Sequence, residues 1–198
     1  MSQPLDPVRD HVRGHFTEAG FDAEPDSASV TFLGLERIEV LRFGPDRGGV
    51  AHYVTLGCSR HPMVDPTSGV ADPLHGPRAE VVLSLLTSTA TPGLARSLAV
   101  VAATPAVEGV VLVADALIDL SAPLWDGASF TAVLLGDSAI PDLPLEAPRD
   151  PVRFLAAVPV TQTEAAWVRL KGAEAMRRAW LDDGVDVLDP NRRAAQPG

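Results

Sequence analysis

Apolar positions recur at two spacings along the 198 residues. Val8, Val12, Phe16 and Ala19 fall at helical spacing behind Asp6-Pro7, a pair suited to a helix start, and Gly20 stops the run. From Val50 to Gly57 the period changes to two: Val50, His52, Val54 and Leu56 share one face, Ala51, Tyr53 and Thr55 the other. Strand-like segments at Val30–Leu33 and Arg37–Phe43 come before it. The Gly44–Gly49 turn is too short for a crossover helix, so Arg37–Phe43 and Val50–Gly57 form an antiparallel hairpin. Arg78–Leu86 is a third alternating strand, with Ala79, Val81, Leu83 and Leu85 on one face. Gly93–Ala103 predicts a helix that ends before Pro105, with Leu94, Leu98 and Val101 inward. Val110–Val113, Leu117–Leu120, Thr131–Leu135 and Val152–Val160 predict further strands. Thr161-Gln162-Thr163-Glu164 is a capping box. It opens a single helix to Gly184, with Ala166, Leu170, Ala173, Met176 and Trp180 as its apolar stripe.

Two long segments lack any period. Residues 60–77 carry Pro62, Pro66, Pro73 and Pro77 with Gly69 and Gly76, and a second Pro-rich loop spans Gly136–Pro151. Long loops in compact domains are usually functional or disordered. The element order gives an α+β fold: a mixed, largely antiparallel sheet flanked by helices, without the regular alternation of a doubly wound fold. Residues 1–189 form one domain and 190–198 a frayed, flexible polar tail.

Charge narrows the partners. Lys+Arg 16 against Asp+Glu 26 gives −10, which repels a phosphate backbone and argues against nucleic acid. Fifteen of the basic residues are Arg, a bias that reads as codon usage of a GC-rich genome. Between Arg96 and Arg149 there is no cation, while Glu108, Asp115, Asp119, Asp126, Asp137, Asp142 and Glu146 fall in that interval. Gathered on one face, these acids would steer a basic partner. One Cys excludes an internal disulfide. No run of 18 apolar residues is present and Met1–Asp6 has no signal-peptide character, so a cytoplasmic chain without a membrane span is expected.

Motifs for chemistry are thin. Cys58 and His61 make a C-x-x-H pair with Asp72 and His75 downstream, the basis of an alternative reading as a small hydrolase or metal-dependent enzyme. Structural zinc sites show paired ligand spacings, and this one does not. His11 and His15 sit at i, i+4 on a helix face opposite Val8 and Val12. No G-x-S-x-G, phosphate loop or dinucleotide fingerprint occurs. No cofactor and no metal are expected.

His52-Tyr53-Val54-Thr55-Leu56-Gly57-Cys58-Ser59 resembles a strand of the Suppressor of fused (SUFU) family. Arg78-Ala79-Glu80-Val81-Val82-Leu83-Ser84-Leu85 is similar to that family's following strand, where a Glu opens the run. Phe154 through Val158-Pro159-Val160-Thr161, with Glu164 and Gly172, resembles its closing strand and helix. The matches keep the family's order across residues 30–182. The resemblance implies a single SUFU-like domain without catalysis that binds a protein or peptide. Animal members grip a short peptide by strand pairing. Bacterial members look like immunity proteins that neutralise a toxin, here a basic toxin domain. The candidate binding residues are Tyr53, Thr55, Gly57, Cys58, Arg60, His61, Arg78 and Glu80, on the Gly57–Pro77 rim and the two strands beside it, and the acidic interval adds Asp115 and Asp119 on grounds of charge.

Overall fold

The computed structural model describes residues 5–64, 67 and 72–196. The turn residues Pro66 and Gly69, and most of the N-terminal segment weighed as a signal peptide, lie outside the described residues. In chain order the elements are α1 (Asp6–Glu18), β1 (Asp26–Val30), β2 (Ile38–Phe43), β3 (Val50–Leu56), a one-turn 3₁₀ helix (Cys58–Arg60), β4 (Arg78–Leu86), α2 (Leu94–Glu108), β5 (Leu117–Asp119), β6 (Phe130–Asp137), β7 (Val152–Thr161), α3 (Gln162–Lys171) and α4 (Ala173–Asp182). The seven strands make one open sheet, ordered β1-β2-β3-β4-β7-β6-β5. Every neighbouring pair is antiparallel except β4–β7, which runs parallel because α2, β5 and β6 intervene. This is the mixed, largely antiparallel α+β fold that the pattern predicts.

Alternation decides which helix covers which face. In β4, Ala79, Val81, Leu83 and Leu85 join Leu94, Leu98 and Val101 of α2 in one core, while Val82 packs with Val8, Val12 and Phe16 of α1. Along β7, Leu155 and Ala157 face the α2 core, Val152 and Phe154 the α1 core, and Val160 the cluster built on α3 and α4. The helices α1, α3 and α4 therefore share one face of the sheet, and α2 covers the other. Each fully buried Leu here contributes about 1.5–3 kcal/mol.

At the β1 edge, polar side chains are tied inward to β2. Ser27 Oγ donates to Glu39 at 2.6 Å, Arg42 reaches Asp26 at 3.3 Å, and Arg9 of α1 clamps Glu39 at 2.6 Å.

Four local expectations change. The strand expected at Val30–Leu33 lies earlier, at Asp26–Val30. The helix expected to end before Pro105 continues through it to Glu108. Proline has no N–H to give the carbonyl four residues back. That carbonyl is Val101 O, and Thr104 Oγ1 donates to it at 2.7 Å instead. Residues 110–113 lie outside any strand, with only Leu112 buried and its N donating to Met63 Sδ at 3.3 Å.

The single closing helix is two helices, broken at Gly172, which has φ 91°. The break moves the buried stripe of α3 to Glu164, Ala165 and Val168, leaving Leu170 74% exposed. Its reason is geometric. Trp180 Nε1 donates to Glu164 Oε1 at 2.9 Å across 16 residues, and a straight helix would hold them about 24 Å apart at 1.5 Å per residue.

The same carboxylate orders residues 190–196 of the stretch expected to fray, its last two residues lying outside the described ones. Arg192 and Ala195 are buried. Arg192 donates to Glu164 at 2.8 and 3.0 Å and to Pro159 O at 2.7 Å. Its guanidinium stacks over Phe130 at 4.9 Å and Trp180 at 5.5 Å. Ala195 N adds a bond to Glu164 at 3.0 Å. A segment of polar composition is thus folded back by one arginine whose partner lies far away in sequence.

Removing one member of a buried ion pair strands the other, at a cost of about 3–5 kcal/mol. Arg192→Ala is expected to lose stability on that scale in urea unfolding, and a midpoint equal to wild type would show that the clasp is not formed. Trp180→Ala should cost a similar ~3–5 kcal/mol, as large-to-small core changes do.

Candidate functional site

Sequence singled out the rim after β3, and a buried carboxylate organises it. Glu80 lies in the apolar run of β4 with no exposed surface. Such a group must be surrounded by donors. Its Oε2 accepts from Thr55 Oγ1 at 2.6 Å, and its Oε1 accepts from Gly57 N at 2.8 Å, Ser59 N at 3.0 Å and Ser59 Oγ at 2.6 Å. Thr55 Oγ1 in turn accepts from Val81 N at 2.9 Å. The β3–β4 ladder pairs residues up to Val54, so the Thr55 hydroxyl carries the connection on where β3 peels away.

Gly57 makes the turn possible. Its φ is 140°, and a Cβ there would lie 3.1 Å from Arg37 O and 3.3 Å from Ile38 Cα. Arg78, two residues before Glu80 and also buried, anchors the next stretch of rim. Its Nη1 donates to Ser59 O and Arg60 O, each at 3.0 Å, and its Nη2 reaches Pro73 O at 3.4 Å. Burial raises the Glu80 carboxyl above its ordinary range, against the lowering effect of the Ser59, Thr55 and backbone donors.

The residues of the enzymatic alternative have other partners. His61 Nε2 lies 2.8 Å from Glu36 Oε2, and His75 Nδ1 lies 2.6 Å from Asp72 Oδ2. Burial, with a smaller push from the Glu80 charge, raises the Cys58 thiol well above its ordinary range, so it stays protonated. On α1, His11 bonds Pro141 O at 2.7 Å and His15 packs edge-on to Phe16. Among the described residues no group of three metal-ligating side chains converges.

Cys58 and His61 instead line a groove of about 560 Å³ between the Gly34–Ile38 segment, the Pro62–Val64 segment and the C-terminal half of α2. Its walls include Leu35, Ile38, Met63, Ala102 and Ala106. Val64 on the wall is exposed, as are Leu33 and Val107, each next in sequence to a lining residue. Apolar side chains left in water around a concave apolar surface mark an interaction site.

Of the remaining candidates Arg60 stays on the rim, while Tyr53, Asp115 and Asp119 do not line the groove. Tyr53 accepts from Arg42 Nε at 3.3 Å beneath the Arg42 guanidinium, and Arg60 Nη1 pairs with Glu36 at 3.1 Å. Asp119 is on β5, separated from β4 by β7 and β6. The acidic interval is met by arginines from later in the chain: Arg177 at 2.5 Å from Asp115, Arg169 at 2.6 Å from Asp119, and Arg153 at 3.0 Å from Asp137 and 3.9 Å from Asp142. Asp115, Asp119, Asp137 and Asp142 of the run thus have cationic partners that the fold brings to them. Sequence reasoning passed over Ser59, which supplies two of the donors to Glu80. The signal was there: a Glu inside an apolar strand demands donors, and a hydroxyl just past the neighbouring strand can supply one.

The model of the family "Suppressor of fused protein (SUFU)" matches residues 34–193. This chain belongs to the Suppressor of fused family. The matched span holds the Glu80 donors, the groove walls and the Glu164–Arg192 clasp, whereas α1 and β1 precede it. A putative SUFU homolog from Neisseria gonorrhoeae FA 1090 superposes with a TM-score of 0.65 at 19% identity, over 97% of this chain and 96% of that one. The Sufu–Fu complex gives 0.66 at 15% identity, over 98% of this chain and 92% of the other. Drosophila Suppressor of Fused gives 0.67 at 15% identity; this chain is covered over 98%, and that one over 51%. No curated protein matches the sequence. Among the described residues no helix is long and apolar enough to cross a membrane.

The SUFU strand pair should report its buried acid through pH. A carboxyl raised on folding holds its proton where the unfolded protein has lost it, so its contribution is fully present below the unfolded value and is lost as pH rises through the folded one. Glu80→Gln lacks this dependence. Its stability deficit against wild type, roughly 1–3 kcal/mol for mismatched buried partners, should therefore be widest below the unfolded glutamate value and narrow toward neutrality. Urea unfolding across pH measures it, and a deficit that widens with pH would mean Glu80 is held ionised.

Proposed function

We propose that this chain is a non-enzymatic protein-binding module that acts in the cytoplasm as an immunity protein, neutralising a bacterial toxin by direct binding. The observation that carries the reading is the apolar groove beside the Gly57–Val64 stretch, with exposed Val64 on its wall and exposed Leu33 and Val107 next in sequence to lining residues. Family membership supports it, and the Sufu–Fu complex is a relative solved with a protein partner. The surroundings of Cys58, His61 and His75 weigh against the hydrolase alternative: the thiol stays protonated, and among the described residues the three do not gather into a ligand cluster.

The groove, rather than the acidic interval, is the surface on which binding rests. Asp115 and Asp119 are engaged by Arg177 and Arg169, so their pull on a basic toxin domain is weakened at the source. Thr55, Gly57, Arg78 and Glu80 act from behind, holding the rim that presents Cys58, Arg60 and His61.

The test is growth. Co-expressed with a toxin encoded beside its gene, the wild-type protein should restore growth of a susceptible cell. Leu33→Asp combined with Val107→Asp should abolish rescue while leaving the melting curve unchanged, because exposed positions shift stability by about ±0.5 kcal/mol. Undiminished rescue by the double variant would remove the groove from the interface, and no rescue by the wild-type protein would overturn the immunity reading.

A further inference from the structure

A second cavity adjoins the groove and shares His61 with it. It encloses about 590 Å³ between the start of α1, the Ser59–His61 turn, Pro73–Leu74 and the Pro144–Arg149 segment. Val8, Leu74, Pro144 and Leu145 give it apolar walls, and Arg78 and Arg149 are set among them.

The two arginines lack what arginines ordinarily have. Arg78 is 4% exposed, yet among the described residues its acceptors are all uncharged carbonyls and its buried Nε–H has no acceptor. Among the described residues no carboxylate forms an ion pair with Arg78 or with the exposed Arg149. A desolvated guanidinium without a counter-ion is costly, and its fork of donors matches a carboxylate. Burial, and then the charge of Arg149, hold Arg78 below its ordinary range, with Asp150 opposing.

We propose that this cavity is a carboxylate subsite, in which Arg78 and Arg149 receive one carboxylate on an aliphatic stem. The stem belongs to the protein partner, as an acidic side chain or a free C-terminus; in this the inference rests on the protein-binding reading. A phosphate fits less well. It would bring more negative charge against Glu146 in the cavity wall and Asp150 beside Arg78, in a protein of net charge −10, and would leave the apolar walls without a stem to cover. The partner's epitope thus joins an apolar anchor for the groove to an anion for the cavity.

The test uses the full-length protein with 15N-labelled arginine side chains and four probes: acetyl-Leu-Glu-Leu-amide, its Gln counterpart, acetyl-Leu-Leu-Leu with a free C-terminus, and inorganic phosphate. The Arg78 Nε–H resonance should move and saturate with at least one carboxylate peptide. A response to the Glu peptide marks a side chain as the source, and a response to the free C-terminus marks a peptide end. Losing one charge-assisted contact in Arg149→Ala should weaken the response on the order of tenfold. Arg149 is exposed, so this variant keeps its fold. The Leu33→Asp, Val107→Asp variant should still bind the probes, which separates failure of the groove from failure of the subsite. No response at Arg78, an equal response to the Gln peptide, tighter binding of phosphate, or indifference to Arg149→Ala would each overturn the proposal.

Discussion

A carboxylate shut away from water holds its place only if the backbone and side chains around it turn donors inward. Glu80 imposes that demand from inside β4. Meeting it fixes where β3 leaves the sheet, how the backbone turns at Gly57, and where the Cys58–Arg60 turn sits. Arg78 then holds the carbonyls of that turn from the other side. The groove and the adjoining cavity are both bounded by this rim, so their shapes trace back to one buried acid.

A second buried acid plays a parallel part on the same face as α1. Glu164 caps α3 through Thr161 N, then gathers Trp180, Arg192 and Ala195. Burial would raise its carboxyl, but the Arg192, backbone and Trp180 donors outweigh it and leave it below its ordinary range. The two acids differ in one respect. Glu164 has a cation among its donors, and its contribution is present above the unfolded pKa and lost as pH falls through the folded one. Glu80 has only neutral donors and shifts the opposite way. Acid and base therefore loosen different ends of the molecule.

Strand periodicity was legible because it follows directly from burial on two faces: Ala79, Val81, Leu83 and Leu85 go to one core as alternation requires. The capping box at Thr161–Glu164 was legible because its partners are three residues apart. What escaped depends on partners distant in sequence. Nothing local to Arg192 tells of Glu164, and nothing in the acidic interval tells of Arg153, Arg169 and Arg177 folding back onto it. Pro105 reads as a helix stop unless the Thr104 hydroxyl is credited with replacing its missing bond. Of the binding rim, the residues were found but their division of labour was not. Thr55 and Glu80 support from within, while the groove is walled by residues such as Met63 and Ala106 that carry no chemical signature.

The β1 edge has a colloidal consequence. An open sheet ends in unpaired backbone groups, a template on which another copy could stack. Here that template is only five residues long and written Asp-Ser-Ala-Ser-Val. An incoming strand would find a short polar stretch, nearly all of it solvated, with Asp26 and Ser27 already tied inward to β2. Strand stacking thus gains little apolar burial and must desolvate polar groups to proceed. At this end of the sheet, the edge that leaves it open disfavours the growth of one copy onto another.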